Sequence, residues 1–130
     1  MNSPKLIIVE RDGALAGQVH ELAREHRWLV RECRQADACM TILNEAGPAV
    51  LLLKAEKDLS GALALLTRAA EACAVCLFCE EKHDNPAQRA LIAGLAYDLG
   101  ATAVIFPPHM PSMVEDLAAG LMAEAIERDA

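Results

Sequence analysis

The sequence predicts an α/β fold: a doubly wound, five-stranded parallel sheet with helices on both faces. Three observations predict it. Short apolar runs of strand length alternate with longer segments of helical period, five times over. The first and third runs are continuously apolar, as strands buried on both faces should be. The second run is more polar and partly alternating, which suits a sheet edge. Such alternation implies parallel βαβ crossovers. A polar second strand at the edge, with the first and third inside, gives the flavodoxin-like strand order 2-1-3-4-5. The competing arrangement, a Rossmann half, needs a Gly-rich turn after the first strand. Glu10-Arg11-Asp12-Gly13 supplies one glycine where three are needed.

Each element follows from its residues. Lys5–Val9 is the first strand. Asp12 is placed to cap the helix after it, where Ala14, Leu15, Val19, Leu22 and Ala23 share one face. Trp28–Cys33 is the second strand. Asp37 heads a short helix carrying Met40 and Leu43, stopped by Gly47, suited to a left-handed position, and Pro48. Ala49–Leu53 is the third strand, Leu59–Glu71 a helix, and Ala74–Phe78 the fourth strand. Asn85 followed by Pro86 is a cap with proline at the first helical position, opening a helix that runs to Leu99 and ends at Gly100. Thr102–Phe106 is the fifth strand. Ser112–Glu127 is the last helix, with Ser112 and Glu115 at capping-box spacing.

The 130 residues amount to one domain, 1–130, without a linker, repeat or low-complexity tract. A hydrophobic fraction of 54% with 24% charged residues is a globular composition. The net charge of −7 argues against a basic nucleic-acid footprint, and aromatics at 3% are too few for a base-stacking platform. No apolar run approaches the roughly 20 residues that span a bilayer. The first residues lack the long apolar stretch of a signal peptide, so the chain is expected in the cytosol. Its five cysteines, an odd count, read as reduced thiols.

In such a sheet, chemistry gathers at the carboxyl ends of the strands. Those positions hold Glu10-Arg11-Asp12, Lys54-Ala55-Glu56, Cys79-Glu80-Glu81 and Pro107-Pro108-His109. Here the chain resembles the receiver domains of bacterial two-component response regulators, over nearly its whole length. The best local match is Leu95-Ala-Tyr-Asp-Leu-Gly-Ala-Thr-Ala-Val-Ile-Phe-Pro-Pro-His109, similar to the receiver stretch in which a helix ends in Gly-Ala, a strand follows, and a Lys-Pro pair closes it. Met110-Pro111 and the helix after it continue the match, and Leu6–Val9 resembles the receiver's first strand. The resemblance also implies a cis peptide bond between Pro107 and Pro108, and pairing through the face of the fourth helix, fifth strand and fifth helix.

The sequence departs from the receiver pattern at the site the resemblance implies. The magnesium-binding acid pair is matched by Glu10 and Arg11, with Asp12 one step late. The phosphoacceptor aspartate is matched by Lys54, or by Leu53 if the register slips by one, and neither forms an acyl phosphate. Cys79 stands for the Ser/Thr, Pro107 for the lysine before Pro108, and Val104 for the switch aromatic. Phosphoryl transfer needs a nucleophile, a magnesium held by several oxygens, and a cation on the transferred oxygens. The expectation is a non-phosphorylatable pseudo-receiver, not an enzyme and without a cofactor, acting on a protein partner or a second copy, with no direct nucleic-acid or membrane contact. It either acts alone or is the receiver-like part of a longer regulator. The alternative is a small flavodoxin-like ligand-binding or redox protein using the same crevice.

Other features carry two readings each. Lys54 either pairs with Glu10 in the crevice or is a solvated strand-end lysine. Cys73-x-x-Cys76-x-x-Cys79 has the spacing of a metal motif. Residues three apart on a strand face opposite sides, so core packing is the expectation and no metal is assigned. Redox chemistry at Cys79 needs it at the strand's open end, with its thiol pKa depressed. His83 and His109 read as loop histidines, His20 and His26 as surface. On the last helix Val114, Leu117, Ala118, Leu121 and Ala125 form the sheet-facing stripe. Ala119, Met122 and Ile126 lie to one side of it, and with Val104 they form the candidate interaction surface. Either a partner or a neighbouring helix of the same domain covers that flank.

Overall fold

Ten elements alternate without exception along the computed structural model, which describes residues 3–55, 58–72, 74–80 and 85–129. They are β1 (Lys5–Val9), α1 (Ala14–His26), β2 (Leu29–Cys33), α2 (Ala36–Leu43), β3 (Ala49–Ala55), α3 (Leu59–Glu71), β4 (Val75–Glu80), α4 (Pro86–Asp98), β5 (Ala103–Ile105) and α5 (Pro111–Asp129). The strands form one parallel sheet in the order β2-β1-β3-β4-β5, as the alternation predicts.

Side-chain alternation divides the strands between two cores. Leu6, Ile8, Leu52, Leu77 and Cys79 face α1 and α5, meeting Leu15, Val19, Val114, Ala118, Leu121 and Met122. Ile7, Leu51, Leu53, Cys76 and Phe78 face α2, α3 and α4. Cys76 and Cys79 thus lie on opposite faces, as their spacing requires; Cys73 lies outside the described residues.

Met122 is a correction. It is fully buried, because α5 packs along α1 and the apolar stripe of α5 is wide enough to take Met122 into the same core as Leu15, Val19 and Ala23. Ala119 on that flank is half-buried, and Ile126 is 44% exposed.

Several helix starts also differ from the sequence reading. α1 is preceded by Gly13 in the left-handed region (φ 77°), and Glu10, from the end of β1, accepts the N–H groups of Leu15 and Ala16. Of the main-chain donors at this helix start Asp12 accepts the Ala14 N–H alone, an Asx-turn bond ahead of the helix. α2 starts at Ala36 with Gln35 as an N-cap that makes no side-chain bond, which places Asp37 inside the first turn. α5 begins at Pro111, whose fixed φ suits the first helical position, so Ser112 lies inside the helix and no capping box forms. The caps at Asp58 and Asn85 do form, to Gly61 N–H at 2.9 Å and to Ala87 N–H at 2.8 Å. Lys5 is buried at the amino end of β1. Its ammonium donates to the carbonyls of Ile42, in the last turn of α2, and of Glu45 just beyond it, where a cation is favoured.

Candidate functional site

The carboxyl ends of β1 and β3 bring together three groups from the sequence reading. β3 runs two residues further than the apolar run predicts, so Lys54 sits inside the strand, beside Cys79 of β4. Its ammonium donates to both carboxylate oxygens of Asp12 at 3.2 Å and lies 3.9 Å from Glu10 Oε1. The Lys54 and Glu10 side chains are only 5% and 1% exposed, whereas that of Asp12 is 59% exposed. Of the two sequence readings of Lys54, the ion pair is the one the structure contains.

Two opposing effects act on Glu10. Burial pushes its pKa up, while the Leu15 and Ala16 N–H groups and the Lys54 ammonium pull it down; burial wins, and the pKa is raised. Asp12 is lowered, first by the Ala14 N–H and then by Lys54. The three groups form a compact internal ion network, with one carboxylate capping a helix and the other open to water.

The remaining residues of the predicted site are dispersed around this network. Arg11 is exposed and lines a cleft that also contains Glu10 and Lys54. Cys79 corrects the sequence reading: β4 runs on to Glu80, so Cys79 lies within the strand, completely buried in the α1/α5 core. Burial pushes its thiol up to about 12, the opposite of what a reactive cysteine needs. The Pro107–Pro108 bond is cis, as the resemblance implies. Val104, half-buried on β5, donates its N–H to the Tyr97 hydroxyl at 3.3 Å.

The loop around the cis bond is tied down from three elements, two of them by residues that the sequence reading did not single out. Arg89 of α4 donates to the Pro107 carbonyl at 3.1 Å, with its guanidinium over the Phe106 ring. Gln18 of α1 donates to the His109 carbonyl. His109 Nε2 lies 3.0 Å from the carbonyl of Glu80, itself buried at the end of β4. His109 is therefore a half-buried structural residue; His83, Glu81 and Asp84 lie outside the described residues. Arg89 follows the Asn85-Pro86 helix start by one turn, the only signal that could have drawn attention to it. Among the described residues no group of His, Cys, Asp and Glu side chains is arranged to hold a metal ion, and no helix is long and apolar enough to cross a membrane.

Comparison with solved structures identifies the fold. The signal receiver domain of a Luxo repressor protein from Vibrio parahaemolyticus superposes with a TM-score of 0.76 at 12% identity, over 98% of this chain and 96% of that one. The receiver domain of the Francisella response regulator 1452 matches with a TM-score of 0.70 at 10% identity, over 95% and 98%. NtrX from Brucella abortus matches with a TM-score of 0.72 at 19% identity, over 98% of this chain and 28% of that longer one. No protein-family profile matches the sequence, and no curated protein matches it. The chain has the receiver fold of response regulators, the flavodoxin-like α/β architecture with strand order 2-1-3-4-5.

Proposed function

We propose that this chain is a regulatory module on the receiver fold that works by protein–protein contact and does not accept a phosphoryl group. One observation carries the reading: Lys54 occupies the end of β3, ion-paired with Asp12 and Glu10. An amine there provides no carboxylate for an acyl phosphate. It also puts a cation between the two carboxylates that a magnesium ion would need. Pro107 stands where the resemblance asks for a lysine, and Cys79, at the hydroxyl position, is sealed in the core. On this reading the module is not an enzyme, its place is the cytosol, and its partner is another protein or a second copy. The contact surface is the edge built by α4, β5 and α5, where Tyr97 and Val104 lie side by side.

The test is incubation with acetyl phosphate and magnesium, followed by intact-mass measurement. The expected result is an unchanged mass. A gain of about 80 Da, one phosphoryl group, that disappears when a single residue of this crevice is replaced would overturn the reading.

A further inference from the structure

Strand order reverses between β1 and β3, and in open α/β sheets the crevice outside such a switch point is where ligands bind. Here that crevice is a cleft of about 210 Å³ between the ends of β1 and β3 and the first turns of α2 and α3. Val9, Leu53 and Leu65 give it apolar walls. Among the described residues its charged lining is Arg11, Arg34 and Lys54 against Glu10 and Asp58, three cations to two acids, in a chain whose net charge is −7.

Both acids are engaged by main-chain donors. Glu10 accepts the Leu15 and Ala16 N–H groups, and Asp58 accepts that of Gly61. Lys54 is held by Asp12 and Glu10. Arg34, between β2 and α2, is exposed and has no hydrogen-bond or ion-pair partner among the described residues. Next to it, Ala36 lines the cleft at the start of α2, a helix with no side-chain cap. A guanidinium lining a cleft with apolar walls takes a carboxylate or phosphate through two parallel N–H···O bonds.

We infer that this cleft binds a small organic anion, its carboxylate or phosphate head held by Arg34 and its compact apolar body on Val9, Leu53 and Leu65. The volume, about 210 Å³, is below the ~300–1,000 Å³ of pockets for drug-sized ligands, so the occupant is small. The inference is independent of the partner reading above, since a module that docks on proteins and one that does not can both carry this cleft.

The experiment is an NMR titration of the isotope-labelled chain with three probes that share a phenyl ring: benzoate, phenyl phosphate and neutral benzyl alcohol. Saturable shifts are expected at the amides of Arg34, Ala36, Gly61 and Ala62 with at least one anion, and none with the alcohol. Which anion saturates first separates a carboxylate site from a phosphate site. Arg34→Ala should weaken binding about tenfold, the size of one lost charge-assisted pair. Arg24→Ala, on the distant surface of α1, should leave it unchanged. Because Arg34 is exposed, neither variant threatens the fold. Binding that fails to saturate by about 10 mM, roughly tenfold above a millimolar dissociation constant, overturns the inference. So does equal binding by the Arg34→Ala and Arg24→Ala variants, or equal binding of the alcohol.

Discussion

At Lys54 the ammonium holds one exposed and one buried carboxylate at once. Lys54→Met keeps most of the stem and removes the charge, leaving Glu10 with main-chain donors alone. We expect a loss of about 1–3 kcal/mol, the cost of stripping a partner from a buried polar group, read as a lower urea midpoint. The pH dependence has a definite sign. Glu10 is raised above 4.5, so the folded state binds its proton more readily than the unfolded chain. Its contribution to stability therefore falls as pH rises from 4.5 through the folded-state value. Without the Lys54 ammonium the Glu10 pKa rises further, and this fall should be larger in Lys54→Met than in the wild type. Equal slopes in the two proteins would show that the ammonium does not act on Glu10. The Lys54–Glu10 pair was visible in the sequence as one of two open readings. Asp12, which takes the shorter contacts, was visible as a helix cap and as the acid one step late in the receiver pattern, not as a partner of Lys54. Nothing in a linear pattern says that a carboxylate two residues past a strand will turn back toward a neighbouring strand, because that depends on the bend before Gly13.

Among the elements, the interior strands were legible because burial on both faces leaves an unbroken apolar run. Their ends were not. β3 and β4 each continue past the apolar residues through Lys54 and Glu80, polar groups held inside by local partners, and periodicity does not register these. The cap of α1 was misread for a related reason, since Glu10 caps it from five residues away in place of the nearer Asp12, whereas the Asn85-Pro86 start of α4 was legible. Helix ends were easier to read. Gly100 after α4 has φ 115°, a conformation that side chains rarely adopt, and a Cβ there would run into the Ala70 methyl of α3. Gly100→Ala should therefore destabilise the protein by about 1–3 kcal/mol, the cost of a strained backbone residue, measured by urea unfolding. A change within experimental error would mean that the α3–α4 contact yields easily.

For the whole molecule, the sheet leaves one edge at β2 and one at β5, and the proposed contact uses the second. Light scattering across a dilution series should show a concentration-dependent dimer. Tyr97→Glu, at a half-exposed position beside Val104, should abolish it. Ile126→Glu tests the flank of α5 turned toward α1. If it alone abolishes the dimer, the surface is α1 with α5 and not the β5 edge. A wild type that stays monomeric at high concentration removes self-association and leaves a different protein as the partner. Strand order was legible because it follows from the parallel crossovers and from which strand is polar. The covering of Met122 was legible only as one of two readings, since a helical stripe fixes direction but not how closely the next helix approaches.

The four described cysteines are all buried, and their thiols are all raised by that burial, Cys39 and Cys79 to about 12. Alkylation of each therefore reports how often its surroundings open. Cys33 and Cys39 belong to β2, at the sheet edge, and to the eight-residue helix α2. Cys76 and Cys79 lie in β4, hydrogen-bonded on both sides by β3 and β5. In native buffer, labelling followed by peptide mapping should separate into two clocks. Cys33 and Cys39 should tick with local fraying of the β2–α2 edge, and Cys76 and Cys79 only with global unfolding. Dilute urea should then accelerate the second pair with the full dependence of the equilibrium transition and the first pair only weakly.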